Sequence, residues 1–123
     1  MDTSRQPTAH ELCLLLERSL RGLGEEARVQ AAIEALLLRE GIEHRRELTL
    51  SPKDRIDFLV GGIGLEVKVA GSVGAVVRQL ERYAKHDRIK SLVLVTTKST
   101  LARVPLEMNG KVVRAAVILA GIV

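Results

Sequence analysis

The chain has 123 residues, which suits one domain, and 46% of them are hydrophobic, enough for one core and against general disorder. A net charge of +4 and a pI of about 9.6 favour an anionic partner without naming it. Aromatic residues make up only 2%, Phe58 and Tyr83, which argues against a single-strand binder that stacks bases on rings. The one cysteine, Cys13, rules out an internal disulfide and a cysteine-built zinc site. No run approaches the roughly 20 apolar residues of a membrane span, and the start lacks the basic-then-apolar pattern of a signal peptide. The expectation is a soluble cytoplasmic protein.

Met1 to Gln6 is polar and expected to fray, with order beginning at residue 9. Thr8 and Glu11 have capping-box spacing, so a helix is expected to start near Ala9. Its apolar face is Leu12, Leu15, Leu16 and Leu20, and Gly22 and Gly24 break it. Val29, Ile33, Leu36 and Leu37 mark a second helix from about Glu25 to Glu40, ended by Gly41. The period then changes. His44 to Leu50 reads as a strand, followed by a turn at Pro52 and Asp54. Arg55 to Val60 and Gly64 to Ala70 read as a hairpin joined through Gly61, Gly62 and Gly64. A helix is expected from Val73 to Asp87, a buried strand from Leu92 to Thr97, a turn at Asn109-Gly110, and a last strand from Val112 to Leu119. This is one domain, 1–123, of α/β class. A mixed central sheet is flanked by helices in the order α-α-β-β-β-α-β-β, with a core over 25–97, an extra helix over 9–23 and a strand region over 98–123.

The stretch that carries chemistry runs from Arg55 to Lys68. Alternate side chains of a strand share a face, so Glu66 and Lys68 point one way while Leu65, Val67 and Val69 point into the core. The hairpin can bring Asp57, on the preceding strand, beside Glu66. Two hard carboxylate oxygens at one spot suit Mg²⁺, with water and phosphate filling its other positions. Lys68 sets a compact positive charge beside them. The plain alternative is a solvent-facing strand that alternates apolar and charged residues.

Ile56-Asp57 followed by Glu66-Val67-Lys68 resembles the motif of the PD-(D/E)XK nuclease superfamily, with Ile56 in place of the usual proline. The resemblance covers about Glu25 to Thr97 and implies a restriction-endonuclease-like core. It implies that Asp57, Glu66 and the backbone carbonyl of Val67 bind Mg²⁺ or Mn²⁺ and that Lys68 assists the attacking water. It also implies a deoxyribonuclease of DNA repair, recombination or phage and defence DNA processing. Glu26 and Gln30, four residues apart on one helix face, are similar to a pair in the opening helix of the virus-type replication-repair nucleases. Glu26 is thereby a further candidate for the metal site, against the bland reading of an acid that complements a helix dipole. Gln79 and Tyr83 look like the Gln-x-x-x-Tyr motif of the exonuclease branch, placed to hold a DNA end or phosphate. The alternative for Tyr83 is a core position. Arg78, Arg82 and Lys85 form a basic stripe on the same helix, either a track for DNA phosphates or a solvated face.

The three histidines, His10, His44 and His86, show no ligand spacing, and Cys13 lies in an apolar helix as a core residue. The glycines at 61, 62 and 64 lack the Gly-Lys-Ser/Thr of a phosphate loop. The competing function is a nuclease-fold module that binds nucleic acid or a protein without cutting. A leucine stripe outside the resembling region also predicts a homodimer with the first helix in or near the interface, against the alternative that this helix covers its own sheet.

Overall fold

A computed structural model describes residues 6–121. Among these, three α-helices accompany one mixed sheet of six strands. The expectation of a frayed start falls mostly on residues outside the described ones. Within them, the first helix starts at Ala9, where the sequence places it. Thr8 caps α1 (Ala9–Ser19): its N–H donates to Glu11 Oε1 at 2.9 Å and its Oγ1 accepts the Glu11 N–H at 3.1 Å. Helix α2 (Glu26–Arg39) closes as the glycine predicts. Gly41 has φ 68°, its N–H bonds Leu38 O at 3.2 Å, and the Ile42 N–H bonds Leu37 O at 2.9 Å.

Strands β1 (Arg45–Ser51), β2 (Asp54–Val60) and β3 (Ile63–Val67) form an antiparallel meander. A two-residue turn joins β2 to β3, and its first residue, Gly61, has φ 59°, a conformation that favours glycine. Helix α3 (Val73–Ala84) then crosses to β4 (Ser91–Thr96), which runs parallel to β3. A 3₁₀ turn at Ser99–Ala102 leads to a hairpin of β5 (Glu107–Met108) and β6 (Lys111–Val117). Its turn residues Asn109 and Gly110 both have positive φ, 53° and 76°. Strand β6 pairs parallel with β4, giving the order β1-β2-β3-β4-β6-β5.

Three corrections concern lengths, the first being that α1 stops at Ser19 and not at residue 23, with Leu20 extended as its C-cap. The third strand stops at Val67, not Ala70, because the chain turns at Gly71 (φ 103°) to start α3. Helix α3 stops at Ala84, not Asp87, where the hairpin caps it: Asn109 Nδ2 donates to Ala84 O and Lys111 Nζ to His86 O. The short β5 and the 3₁₀ turn are additions to the expected order.

The sheet separates two cores. Helices α1 and α2 cover one face through Leu12, Leu16, Val29, Ile33 and Leu37, packed against Phe58, Leu65, Val67 and Val95. Helix α3 covers the other through Val76, Leu80 and Tyr83, packed against Ile56, Leu92 and Leu94. The leucine stripe of α1 is therefore not spare. Leu12 and Leu16 are fully buried, and α1 lies on β6 and β4 of its own sheet. Ala116 and Ile118 supply the apolar surface that receives it, so the stripe covers this chain's own sheet. No helix among the described residues is long and apolar enough to cross a membrane.

One irregularity shapes the site. Ile56 and Phe58 are two residues apart on β2 yet pack on opposite faces of the sheet. A regular strand would put both on one face. The alternation changes at Asp57, and between their partners Leu48 and Arg46 on β1 lies Glu47, with φ 49°. The ladder between β2 and β3 runs only from Val60–Ile63 to Phe58–Leu65 and stops there.

Candidate functional site

Asp57 and Glu66 occupy the place where that ladder ends, and their side chains stand in for it. The Asp57 N–H donates to Glu66 Oε1 at 3.2 Å, and the Val67 N–H donates to Asp57 Oδ2 at 2.8 Å. Each carboxylate thus satisfies a backbone donor of the other strand that would otherwise be stranded in the gap. Glu66 lies on the α3 side, as the alternation of β3 requires, with Leu65 and Val67 buried on the other. Lys68 follows on the same side. Its N–H is held by Val95 O at 3.0 Å, and its Nζ lies 3.2 Å from Glu66 Oε2. Val69 packs against the core beneath α1 and α2. The structure thus brings Asp57, Glu66 and Lys68 together.

The electrostatics of the pair follow from burial. Glu66 is 3% exposed. Burial and then the neighbouring charge of Asp57 push its carboxyl up to about 7, against the opposing pull of Lys68. Burial also raises Asp57, partly offset by the Val67 N–H and by the charges of Lys68 and Arg46. Two carboxylates that resist sharing ionised form at one spot are a donor set that a divalent cation relieves. Both are hard oxygen donors of the kind Mg²⁺ takes. Among the described residues no group of three or more His, Cys, Asp or Glu side chains is placed to hold a metal. Mg²⁺ ordinarily keeps several waters and binds through one or two carboxylates, and the pair fits that habit.

Glu26 does not join them. It is the first residue of α2, half-buried, without a hydrogen bond or ion pair among the described residues. Its companion Gln30 instead accepts from Arg46 Nη2 at 3.1 Å. Arg46 is a residue that the sequence did not single out. From β1 it also donates to Glu34 Oε1 at 2.9 Å and lies 4.7 Å over the Phe58 ring. It ties α2 to the strands behind Asp57, a contact that only tertiary packing defines.

Tyr83 is 1% exposed, with its hydroxyl turned inward. An end of DNA cannot reach it, which corrects the expected phosphate contact. Its hydroxyl lies 3.0 Å from Arg55 O and 3.3 Å from Glu66 Oε2, and Gln79 Nε2 donates to it at 2.8 Å. Burial, then the charges of Glu66 and Asp57, push the phenol well above its ordinary range. Arg82 is also partly committed. Its Nε donates to Asp54 Oδ1 at 3.1 Å, and His86 Nε2 lies 3.2 Å from Asp54 Oδ2. Burial alone would push Asp54 up, but these two partners outweigh it and hold the carboxyl below the ordinary range. Asp54, expected only to mark a turn, thus pins α3 to the start of β2. Arg78 and Lys85 are exposed. Cys13 is buried in α1, and burial pushes its thiol up to about 12, which suits a core residue and not a nucleophile. No protein-family model, no curated protein and no solved structure matches this chain.

Proposed function

We propose that this protein is a metal-dependent deoxyribonuclease with a PD-(D/E)XK type of site, built on a restriction-endonuclease-like core. The observation that supports this reading is the meeting of Asp57 and Glu66 where β2 and β3 part, with the Lys68 ammonium 3.2 Å from Glu66. In it, Asp57, Glu66 and the Val67 carbonyl hold Mg²⁺ or Mn²⁺. The chemistry such an ion supplies is a lowered pKa for water and neutralisation of charge on the phosphoryl oxygens. Lys68 is a quarter exposed in its side chain, and the four-carbon stem of a lysine can turn its ammonium from Glu66 toward a phosphate to meet the charge that develops there. Glu66 is almost fully buried and stays behind as the anchor.

Lys68→Ala is expected to lower maximal cleavage by about 100-fold while the fold and metal affinity persist. Lys68→Arg is expected to recover little, since a planar fork does not replace a point charge. Single-turnover rates at saturating metal check both. Equal rates in wild type and Lys68→Ala would leave Lys68 as a strand-end charge. Arg78 and Lys85, being exposed, form the free part of the basic stripe. Arg78→Ala and Lys85→Ala are each expected to weaken DNA binding alike across sequences and to flatten the salt dependence by about one unit of slope. Anisotropy titrations over a range of salt read this out.

One observation favours a second reading. Both carboxylates already accept backbone N–H groups, so they have a structural use in a module that binds nucleic acid without cutting it. One experiment separates the two. Labelled linear, nicked and branched DNAs are incubated with Mg²⁺ or Mn²⁺, with and without chelator. Metal-dependent cleavage leaving 5′-phosphate ends supports the nuclease. Salt-sensitive binding with no cleavage on any substrate supports the binding module.

A further inference from the structure

We infer that Tyr83 is a positioning residue whose buried hydroxyl fixes Glu66 Oε2 in place for metal binding, with Gln79 orienting that hydroxyl; the inference rests on the reading of Glu66 as a metal ligand. Glu66 has several side-chain torsions, and the donors around its carboxylate decide where its oxygens point. Oε1 accepts the Asp57 N–H. Oε2 has two neighbours, Lys68 Nζ at 3.2 Å and the Tyr83 hydroxyl at 3.3 Å. The two differ in permanence. Lys68 sits on a flexible stem with a quarter of its side chain exposed, and its proposed work takes it toward the phosphate. Tyr83 is locked among Ile56, Leu80 and Leu92 in the core beneath α3. When Lys68 leaves Oε2, Tyr83 remains.

The hydrogen-bond arithmetic around the phenol points the same way. A phenol has one proton to give and can accept others. Gln79 Nε2 donates into the Tyr83 oxygen at 2.8 Å, so the proton is left for Arg55 O at 3.0 Å or Glu66 Oε2 at 3.3 Å. A bond to an ionised carboxylate is the stronger of the two kinds, and a metal ligand must be ionised. The ring itself is held by the anchoring of α3 to β2, where Asp54 takes Arg82 and His86, which flank Tyr83 in the sequence. Partners that orient a metal ligand typically contribute roughly 10- to 100-fold in metal affinity.

The test is Mn²⁺ binding to the full-length protein without DNA, read from the loss of the free-ion electron paramagnetic resonance signal. Wild type, Asp57→Asn, Tyr83→Phe and Gln79→Met are compared, with melting curves for each. Tyr83→Phe is expected to bind Mn²⁺ about 10-fold more weakly than wild type while keeping a cooperative melting transition. Gln79→Met keeps the buried ring and frees its hydroxyl to rotate, and an approximately threefold weakening is expected; it carries the test if Tyr83→Phe does not fold. Wild-type affinity in both variants overturns the inference and leaves the metal site standing. Wild type that fails to bind Mn²⁺, or Asp57→Asn that binds it as well as wild type, overturns the site reading and the inference with it.

Discussion

Asp57→Asn and Glu66→Gln are each expected to reduce Mg²⁺-dependent DNA cleavage by about a thousand-fold or more, because each removes half of the anionic charge that holds the ion. These amides test chemistry with little disturbance of the fold. The amide oxygen left by Asp57→Asn can still accept the Val67 N–H that Asp57 Oδ2 accepts at 2.8 Å. The amide oxygen left by Glu66→Gln can likewise still accept the Asp57 N–H. The gap between β2 and β3 therefore keeps its bridges, and loss of activity reports lost charge. DNA affinity is expected to hold or to rise, since a negative charge facing phosphate has gone. Cleavage by Asp57→Asn at the wild-type rate under saturating Mg²⁺ would contradict the assignment.

The second large effect is on stability. Glu66 titrates at about 7 in the folded protein against an ordinary 4.5, chiefly from burial and then from the charge of Asp57. Between those values the folded protein holds a proton that the unfolded chain has lost. Stability without metal therefore falls as pH rises through this window and levels off above about 7. The shift corresponds to a loss on the order of 3 kcal/mol. Asp57, also raised, acts in the same sense. Asp54 acts in the opposite sense: its carboxyl is held below the ordinary 3.8, so its contribution is complete above that value and lost as pH falls beneath it. Urea unfolding in chelator at a series of pH values checks this. Wild type is expected to lose stability from about pH 5 to 7.5, and Glu66→Gln to lose much less over the same range. Saturating Mg²⁺ at the upper end is expected to restore stability to wild type alone, because an ion bound only by the folded state stabilises it. Parallel pH profiles for the two proteins would show that Glu66 is not the group responsible.

Local chemistry made much of the fold legible in the sequence. Thr8 with Glu11 announces a helix start, Gly41 a helix end, and Gly61 a hairpin turn, because each relies on contacts within a few residues. The pairing of Glu66 with Lys68 followed from strand alternation alone. What stayed hidden depends on distant partners. The change of face at Asp57 lies opposite the left-handed backbone of Glu47 on another strand. Asp54 meets Arg82 across 28 residues of sequence, so neither residue shows the pairing by itself. Arg46 likewise reaches back to Gln30 and Glu34 on α2. Of the two alternatives for Tyr83 the core position holds, since Val76, Leu80 and Tyr83 share one apolar helix face. The leucine stripe of α1 suited a second copy or its own sheet equally well, and it packs on its own sheet, where Ala116 and Ile118 lie in the same core.

One ion at one place carries the proposed activity, and anomalous scattering from crystals grown with Mn²⁺ locates it directly. The expected result is a single strong peak within coordination distance of a carboxylate oxygen of Asp57 and one of Glu66. A peak elsewhere, or none at a Mn²⁺ concentration that supports cleavage, would contradict it.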